Sequence, residues 1–265
     1  MQFTFSDCHV HTEFSACGED VALQGYADFA RTSEMVFAIT DHAAHIFYPP
    51  GHAWSFWTED AVALYEANRQ SGRQRIEDYL SLVRAAQGGG MLVGTELDIL
   101  PDGRPVFPDD IVRDLDVVLG AVHSLPTLRA GRPLQEVVAE YQFQAGVLAE
   151  MNIDILAHPF RTMLGADCPV PQHLLEWLVA LAADAGFALE INSHKRYAEN
   201  DLALMRLALE AGVTLATGTD SHRRSEFGDF SYHAEMLERA GVPTEQWPGI
   251  LWEYKPAARQ AAAGQ

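Results

Sequence analysis

The residues that could bind metal recur at one kind of position in this chain. Short apolar runs, typical of buried strands, each end in or just before His, Asp, Glu or Asn side chains. Imidazoles and carboxylates are the usual protein ligands of Zn, Mn and Fe. These strand-end residues are His9, His11, Asp41, His42, Glu96, His123, His158, Glu190, Asn192, Asp220 and His222. The pattern predicts a site for more than one metal ion.

The spacing of these residues supports the same prediction. His9 and His11 lie two residues apart, so in a strand both side chains point to one face and can bind one ion together. Taken alone, such a pair is as typical of structural histidines as of ligands. Asp41 and His42 follow the next apolar run, and Glu96 ends another, where its carboxylate could bridge two ions. Core packing alone would not repeat this arrangement in successive units.

The elements that must position these residues alternate along the chain. Apolar runs typical of strands cover residues 3–10, 36–40, 91–97, 117–122, 153–157, 187–191 and 213–217. Three- and four-residue spacing of apolar side chains predicts amphipathic helices at 80–86, 134–151, 174–185 and 201–211. Such alternation predicts an α/β protein with a parallel sheet. Seven units with ligands at the strand ends indicate a distorted TIM-like (β/α)7 barrel, and an open doubly wound sheet is the alternative.

The length of 265 residues suits a single domain. We predict a barrel over residues 1–255 and a frayed tail, rich in Ala and Gln, over 256–265. Residues 43–60 and 101–108 interrupt the alternation and are predicted to be long loops. The aromatic side chains of the first loop suit either a lid or a small core beneath the loop. His173 and His233 fall within helical patterns and are predicted to lie at the surface.

Composition and charge exclude several classes of function. The chain has 18 Lys and Arg against 37 Asp and Glu, and its net charge of -19 disfavours a stable nucleic-acid partner. No apolar run approaches the ~18 residues of a membrane span, and no export signal is visible. Cys8, Cys17 and Cys168 lack CxxC spacing and suit a reducing cytoplasm. The expected partner is a small phosphorylated metabolite, and the sequence does not indicate an oligomeric state.

The motifs, in order, resemble those of the polymerase and histidinol phosphatase (PHP) family of metal-dependent phosphoesterases. That family has an HxH motif, a TDH motif, a strand-end Glu, two separated His and a C-terminal DxH motif, and the resemblance covers nearly the whole chain. It implies a distorted (β/α)7 barrel, with two or three Zn, Mn or Fe ions as cofactors. It also implies a cytoplasmic hydrolase similar to the histidinol-phosphate phosphatases of histidine biosynthesis.

The resemblance also implies how the ligands would be shared. One ion would take His9, His11, Glu96 and Asp220. A second would share Glu96 and add His123 and His158. A third would take His42, His222 and Cys17, which stands where relatives often place a His or an acid. A thiolate there would favour Zn over Mn, and the alternative reading of Cys17 is a small buried hydrophobic residue.

Clustered cations would lower the pKa of a shared water and neutralise the phosphoryl oxygens, so that a metal-bridging hydroxide could attack phosphorus. No protein nucleophile is then needed, in agreement with the absence of the GxSxG and GxxxxGK[ST] motifs. Asp41, His194 or a metal-bound water could protonate the leaving group. Asp41 could instead orient a ligating His.

A phosphomonoester also requires cationic groups, because a planar guanidinium meets two phosphate oxygens at once. Arg161, Arg196 and Arg223 lie in predicted loops after strands and are candidates for this role. Similarity to histidinol phosphatases favours Arg161 and Arg196. Each could also be a solvated loop charge.

The leading hypothesis is therefore a metal-dependent phosphomonoesterase similar to histidinol-phosphate phosphatase. The alternative enzyme is a phosphodiesterase or exonuclease that acts on nucleotides or short oligonucleotides. A hypothesis of another class is a noncatalytic, metal-binding regulatory protein. Amide or lactone hydrolysis would require a carbamylated Lys, for which Lys195 is the candidate nearest to a strand end.

Overall fold

A computed structural model of the chain describes residues 3–54 and 60–255. The predicted tail and Phe56 and Trp57 of the predicted lid lie outside the described residues. Within them, the strands are β1 (Asp7–Val10), β2 (Phe37–Ile39), β3 (Met91–Leu97), β4 (Val117–Gly120), β5 (Ile155–Leu156), β6 (Ala188–Asn192) and β7 (Leu215–Gly218). All seven predicted strands are present. β1 begins at Asp7 and β5 covers only Ile155–Leu156, so both are shorter than their apolar runs.

The sheet has the strand order β1-β2-β3-β4-β5-β6-β7, so that neighbours along the chain are neighbours in the sheet. The pairings that define the register are parallel, for example Phe37 with Met91 and Glu190 with Ala216. An open doubly wound sheet would reverse its strand order at a switch point, and this sheet does not. The fold class is therefore α/β, a distorted TIM-like (β/α)7 barrel, as the sequence predicts.

Helices follow the strands in the order expected of βα units. They are α1 (Leu23–Ala30), α2 (Ala43–Phe47), α3 (Ala61–Ala86), α4 (Asp109–Val112), α5 (Pro126–Arg129), α6 (Leu134–Glu150), α7 (Arg161–Leu164), α8 (Gln172–Ala185), α9 (Ala198–Ala211), α10 (Ser231–Arg239) and α11 (Trp247–Ile250). Short 3-10 turns cover Pro50–His52 and Thr244–Gln246. None of the described helices is long and apolar enough to cross a membrane.

Two compact units can be distinguished within the chain. One unit contains Thr4–Leu119 and Thr219–Gly228, and Phe227 of its second segment packs against the ring of Phe37. The other unit contains Gly120–Gly218 and Asp229–Trp252, and Leu148 and Leu178 lie in its apolar core.

One predicted loop begins instead with a helix. Every residue of α2 is buried, and the helix packs against α3, where Gly72 faces the ring of Phe47. A Cβ atom at position 72 would lie 2.4 Å from Phe47 Cε2, so only glycine admits this contact. Burial of the apolar residues of Ala43–Phe47 stabilises a helix that the neighbouring Pro and Gly residues concealed in the sequence.

Candidate metal centre

His9 lies in strand β1 and His11 directly follows the strand, and both side chains are fully buried. Their Nε2 atoms lie 3.2 Å apart. The Nε2 atom of His11 lies 2.9 Å from Asp220 Oδ1, and that of His9 lies 3.6 Å from the same oxygen. Glu96 Oε2 lies 3.4 Å from His9 Nε2 and 3.7 Å from His11 Nε2. Two imidazoles and two carboxylates therefore converge.

The two carboxylates are brought to β1 from distant parts of the chain. Asp220 follows β7 in the left-handed region, at φ 50°, and its N–H donates to the His9 carbonyl at 2.8 Å. Glu96 lies in β3, and its N–H donates to the Asp41 carbonyl at 3.1 Å. These backbone hydrogen bonds fix the positions of both residues. A non-glycine residue in the left-handed region is uncommon and at Asp220 coincides with the candidate site.

The chemistry of this donor set fits a divalent metal ion. Two fully buried carboxylates, Glu96 and Asp220, face the same two imidazole nitrogens. Buried carboxylates are costly unless positive charge compensates them, which a divalent cation would do. Burial, and then the nearby His42, lower the pKa of His11 well below its usual value. The His11 imidazole is therefore neutral at physiological pH and has a lone pair for a metal.

His42 and His222 extend the cluster on either side of His11. The His11 ring lies 4.5 Å from the His42 ring and 4.6 Å from the His222 ring, centroid to centroid, and the three residues can hold a metal ion together. His42 Nδ1 lies 2.7 Å from Glu96 Oε2. His222 Nδ1 lies 2.7 Å from the backbone oxygen of Asp220.

Cys17 is close enough to His42 and His45 for the three to hold an ion. The thiol is half-buried, rather than buried as a small core residue would be. Burial, and then the neighbouring carboxylates, raise the pKa of Cys17, so in the absence of metal it is a neutral thiol. His45 lies on α2, three residues after the N-cap residue His42, and no strand-end motif marked it as a ligand. The three-residue spacing from His42 was the available signal in the sequence.

Asp41 is a buried acceptor for several donors. Its carboxylate accepts from the Thr12 N–H at 2.8 Å, the Thr12 hydroxyl at 2.7 Å, the Ser15 hydroxyl at 2.6 Å and the Tyr79 hydroxyl at 2.9 Å. Burial raises the pKa of Asp41, and these hydrogen bonds oppose that shift. Ser15 Oγ lies 3.1 Å from His11 Nδ1. This geometry suits a residue that orients His11, which is one of its two predicted roles. Nothing in the sequence indicated Ser15 or Tyr79.

The second unit contains the other two predicted imidazole ligands. The rings of His123 and His158 lie 4.9 Å apart. His158 and Phe160 are in the left-handed region, at φ 30° and φ 68°, just after β5. The His158 N–H donates to Glu190 Oε2 at 2.5 Å. The turn after β5 is thus tied to the buried carboxylate of β6.

The predicted cationic and acid residues have different surroundings. Arg161 is part-buried, and its guanidinium donates to Asn192 Oδ1 at 2.5 Å. The same oxygen accepts from the His194 N–H at 3.1 Å. Arg196 is exposed and lies over the Tyr232 ring at 5.3 Å.

The Arg223 guanidinium, more than half exposed, lies 2.6 Å from Glu19 in an ion pair. A phosphate would therefore have to compete with Glu19 for Arg223.

His233 does not lie at the surface as predicted. It is fully buried, and its Nε2 lies 2.9 Å from the Ile191 carbonyl and 3.2 Å from the Gly218 carbonyl. It therefore ties the end of β6 to that of β7. Tyr232, Met236 and Leu237 are buried on the same side of α10. Their helical spacing includes position 233 and was the signal that could have predicted its burial. His173 is exposed, as predicted.

Known proteins resemble this chain over most of its length. A probable phosphatase of Shewanella halifaxensis (strain HAW-EB4) is 28% identical, with 91% of this chain and 86% of that protein covered. The DNA polymerase/3'-5' exonuclease PolX of Bacillus subtilis (strain 168) is 25% identical over 90% of this chain, but the match spans only 38% of that longer protein.

A solved structure shares the fold. The crystal structure of histidinol phosphate phosphatase from Lactococcus lactis subsp. lactis Il1403, complexed with zinc, L-histidinol and phosphate, matches with a TM-score of 0.55. The match covers 91% of this chain and 95% of that chain, at 18% identity. The PHP domain itself matches residues 7–194, which is more than half of the chain. Together with the strand-end donors, this match shows that the chain belongs to the PHP family of metal-dependent phosphoesterases.

Proposed function

We propose that this protein is a metal-dependent phosphomonoesterase that acts on a small phosphorylated metabolite, with histidinol phosphate as the first candidate. The observation that carries the proposal is the convergence of His9, His11, Glu96 and Asp220, all buried, in a chain of the PHP family. The L-histidinol and phosphate in the Lactococcus structure support a small phosphate ester as substrate class.

The residues of the chain would divide the work as follows. His9, His11, Glu96 and Asp220 would hold one ion, Glu96, His123 and His158 a second, and His42, His222 and Cys17 a third. Two or three Zn, Mn or Fe ions, when bound, would activate a water and neutralise charge on the phosphoryl oxygens. Arg161 and Arg196 would bind the phosphate, and Asp41 or His194 would supply the proton for the leaving alkoxide. The reducing cytoplasm is the proposed location.

The net charge supports a small substrate over a polymer. At -19, the chain repels an extended polyanion, whereas a single phosphate can be bound by local cations. The similarity to PolX favours a second candidate, a phosphodiesterase or exonuclease that acts on short oligonucleotides.

The test follows phosphate release from L-histidinol phosphate and p-nitrophenyl phosphate, and p-nitrophenol release from a bis-p-nitrophenyl diester. The protein is stripped of metal and then reconstituted separately with Zn, Mn and Fe(II). We expect metal to restore turnover, with histidinol phosphate preferred. Glu96→Gln should lower turnover by more than ~100-fold, because a direct ligand should matter more than the residues that support ligands. The exposed Glu253→Gln is the matched control.

Each other outcome points to a different function. Monoester activity without preference for histidinol phosphate would retain the reaction and reject that substrate. Preference for the diester would favour the exonuclease candidate. Tight metal binding without hydrolysis of any ester would favour a noncatalytic, regulatory role. Full activity of Glu96→Gln would reject the assignment of Glu96 as a bridge between ions.

A further inference from the structure

Strand β6 carries two buried polar residues that the proposed metal ligands do not include. Glu190 and Asn192 are each 5% exposed, and because they are two residues apart they point to one face of the sheet. Their partners on β7 are Ala216 and Gly218. These small neighbours leave room on that face for the longer β6 side chains.

Glu190 fixes two groups through a single oxygen. Its Oε2 atom accepts from the His158 N–H at 2.5 Å and from Asn192 Nδ2 at 3.0 Å. The first bond holds a backbone in the uncommon left-handed region, at φ 30°. The second sets the direction of the Asn192 amide. Since the amide nitrogen faces the carboxylate, the amide oxygen must face the opposite way.

The Asn192 oxygen in turn connects two residues of the proposed function. Oδ1 accepts from the Arg161 guanidinium at 2.5 Å and from the His194 N–H at 3.1 Å. A guanidinium has five N–H donors in a rigid, planar fork, so a bond to Asn192 fixes its plane and does not exhaust its donors. The side chain of Arg161 is only part-buried, and such a long chain otherwise has many rotamers.

We propose that Asn192, oriented by Glu190, is a positioning residue that holds the Arg161 guanidinium for the phosphate group of the substrate. The inference rests on the proposed function, which gives Arg161 its role. The chain of contacts runs from the Glu190 carboxylate through the Asn192 amide to Arg161. Each link has a preferred direction, so a change at Asn192 or Glu190 acts on the phosphate through Arg161.

The experiment is a double-mutant cycle of Asn192→Ala and Arg161→Ala in the metal-loaded protein. Asn192→Ala should raise KM for the best monoester, and the Kd of inorganic phosphate, by about 10-fold, which is typical for the loss of a hydrogen bond to a charged group. We expect kcat to change less than about threefold, since a positioning role in binding acts mainly on KM. In the Arg161→Ala background, Asn192→Ala should have no further effect. Asn200→Ala, in α9 of the same unit, is the matched control.

A second pair of variants guards against simple misfolding. Glu190→Gln keeps an oxygen that can accept from both the His158 N–H and the Asn192 amide, so phosphate binding should stay close to that of wild type. Glu190→Ala removes that acceptor and should weaken phosphate binding as Asn192→Ala does. Unchanged phosphate binding in a folded Glu190→Ala protein would overturn the orienting role of Glu190.

The positioning role and the proposed function fail in different ways. A folded Asn192→Ala protein with KM and phosphate Kd within twofold of wild type would overturn the role of Asn192, as would effects that simply add to those of Arg161→Ala. An active wild type without this coupling would leave phosphatase activity intact. An inactive wild type whose phosphate Kd still shows the coupling would support the positioning role and overturn the phosphatase proposal.

Discussion

Ser15 determines the tautomer of a candidate metal ligand. A serine hydroxyl has one donor and two acceptor positions. The Ser15 hydroxyl donates its proton to the Asp41 carboxylate at 2.6 Å. Its lone pairs face the backbone N–H of His42 at 3.2 Å and the ring atom Nδ1 of His11 at 3.1 Å. His11 Nδ1 must therefore carry the hydrogen, which leaves the lone pair of Nε2 directed at the carboxylate of Asp220. Imidazole ligands of metals are commonly fixed in this way.

At the residue scale, Ser15→Ala should weaken metal binding by about 10-fold or more, since loss of a residue that orients a ligand typically costs 10–100-fold. The measurement is competition with a chromophoric chelator at fixed pH. Ser71→Ala, at an exposed serine of α3, is the control and should leave metal affinity unchanged. Equal affinities of wild type and Ser15→Ala in proteins with the same melting temperature would contradict the orienting role.

Helix α3 links packing to the site at the scale of an element. Over its 26 residues it brings Gly72 against Phe47 of α2, and Tyr79 within 2.9 Å of the Asp41 carboxylate. The Phe47 ring is almost fully buried and cannot move aside. The same helix face thus supports α2, on which His45 lies, and completes the hydrogen bonds of Asp41.

The close approach of α2 to α3 predicts that Gly72→Ala will destabilise the protein. The added methyl group would meet the Phe47 ring at 2.4 Å. Overpacking of this kind costs about 1–3 kcal/mol, which exceeds the ~1 kcal/mol that Ala gains over Gly in a helix. Urea unfolding should report the net loss. Gly25→Ala in α1 has nothing within 4 Å and should raise the free energy of unfolding instead. A stabilised Gly72→Ala protein would show that Phe47 repacks without cost.

At the scale of the whole molecule, buried ionisable groups make stability depend on pH. Burial lowers the pKa of His233 to about 4, although its hydrogen bonds to the Ile191 and Gly218 carbonyls, and the charges of Glu190 and Asp229, oppose that shift. Burial raises the pKa of Asp7 and of Asp201 to about 6. Both aspartates thus favour the folded state at low pH, whereas His233 favours it at neutral pH.

Replacement of His233 should isolate its share of this pH dependence. Below pH 6.5 the unfolded chain binds a proton at His233 that the folded protein does not bind until about pH 4. The free energy of unfolding of the wild type should therefore fall, relative to that of His233→Gln, by about 3 kcal/mol between pH 7 and 4. The contributions of Asp7 and Asp201 cancel in this difference. His173→Gln, at an exposed histidine, should show no such change, and parallel curves for wild type and His233→Gln would refute the prediction.

The local sequence was sufficient to predict the seven strands, their alternation with helices, and the candidate metal ligands at the strand ends. Strand β3 has the predicted bounds, and α6 and α8 differ from prediction by one or two residues. The reason is that the two-residue period of a strand and the 3.6-residue period of a helix are properties of the nearest neighbours. The placement of His9 and His11 on one strand face follows from the same local rule.

Tertiary structure alone decided which partners these side chains meet. Arg223 is paired with Glu19, 204 residues away, and Tyr79 reaches Asp41 from α3, which begins well before the helix predicted at 80–86. His233 is buried because the carbonyls of Ile191 and Gly218 accept its hydrogen bond at the strand ends. The sequence determines which chemical groups each strand or helix presents on a given face, because the face of each side chain depends on the local repeat of the backbone. The packing of distant elements determines which groups meet, and thereby their burial, their charge and the chemistry they can perform.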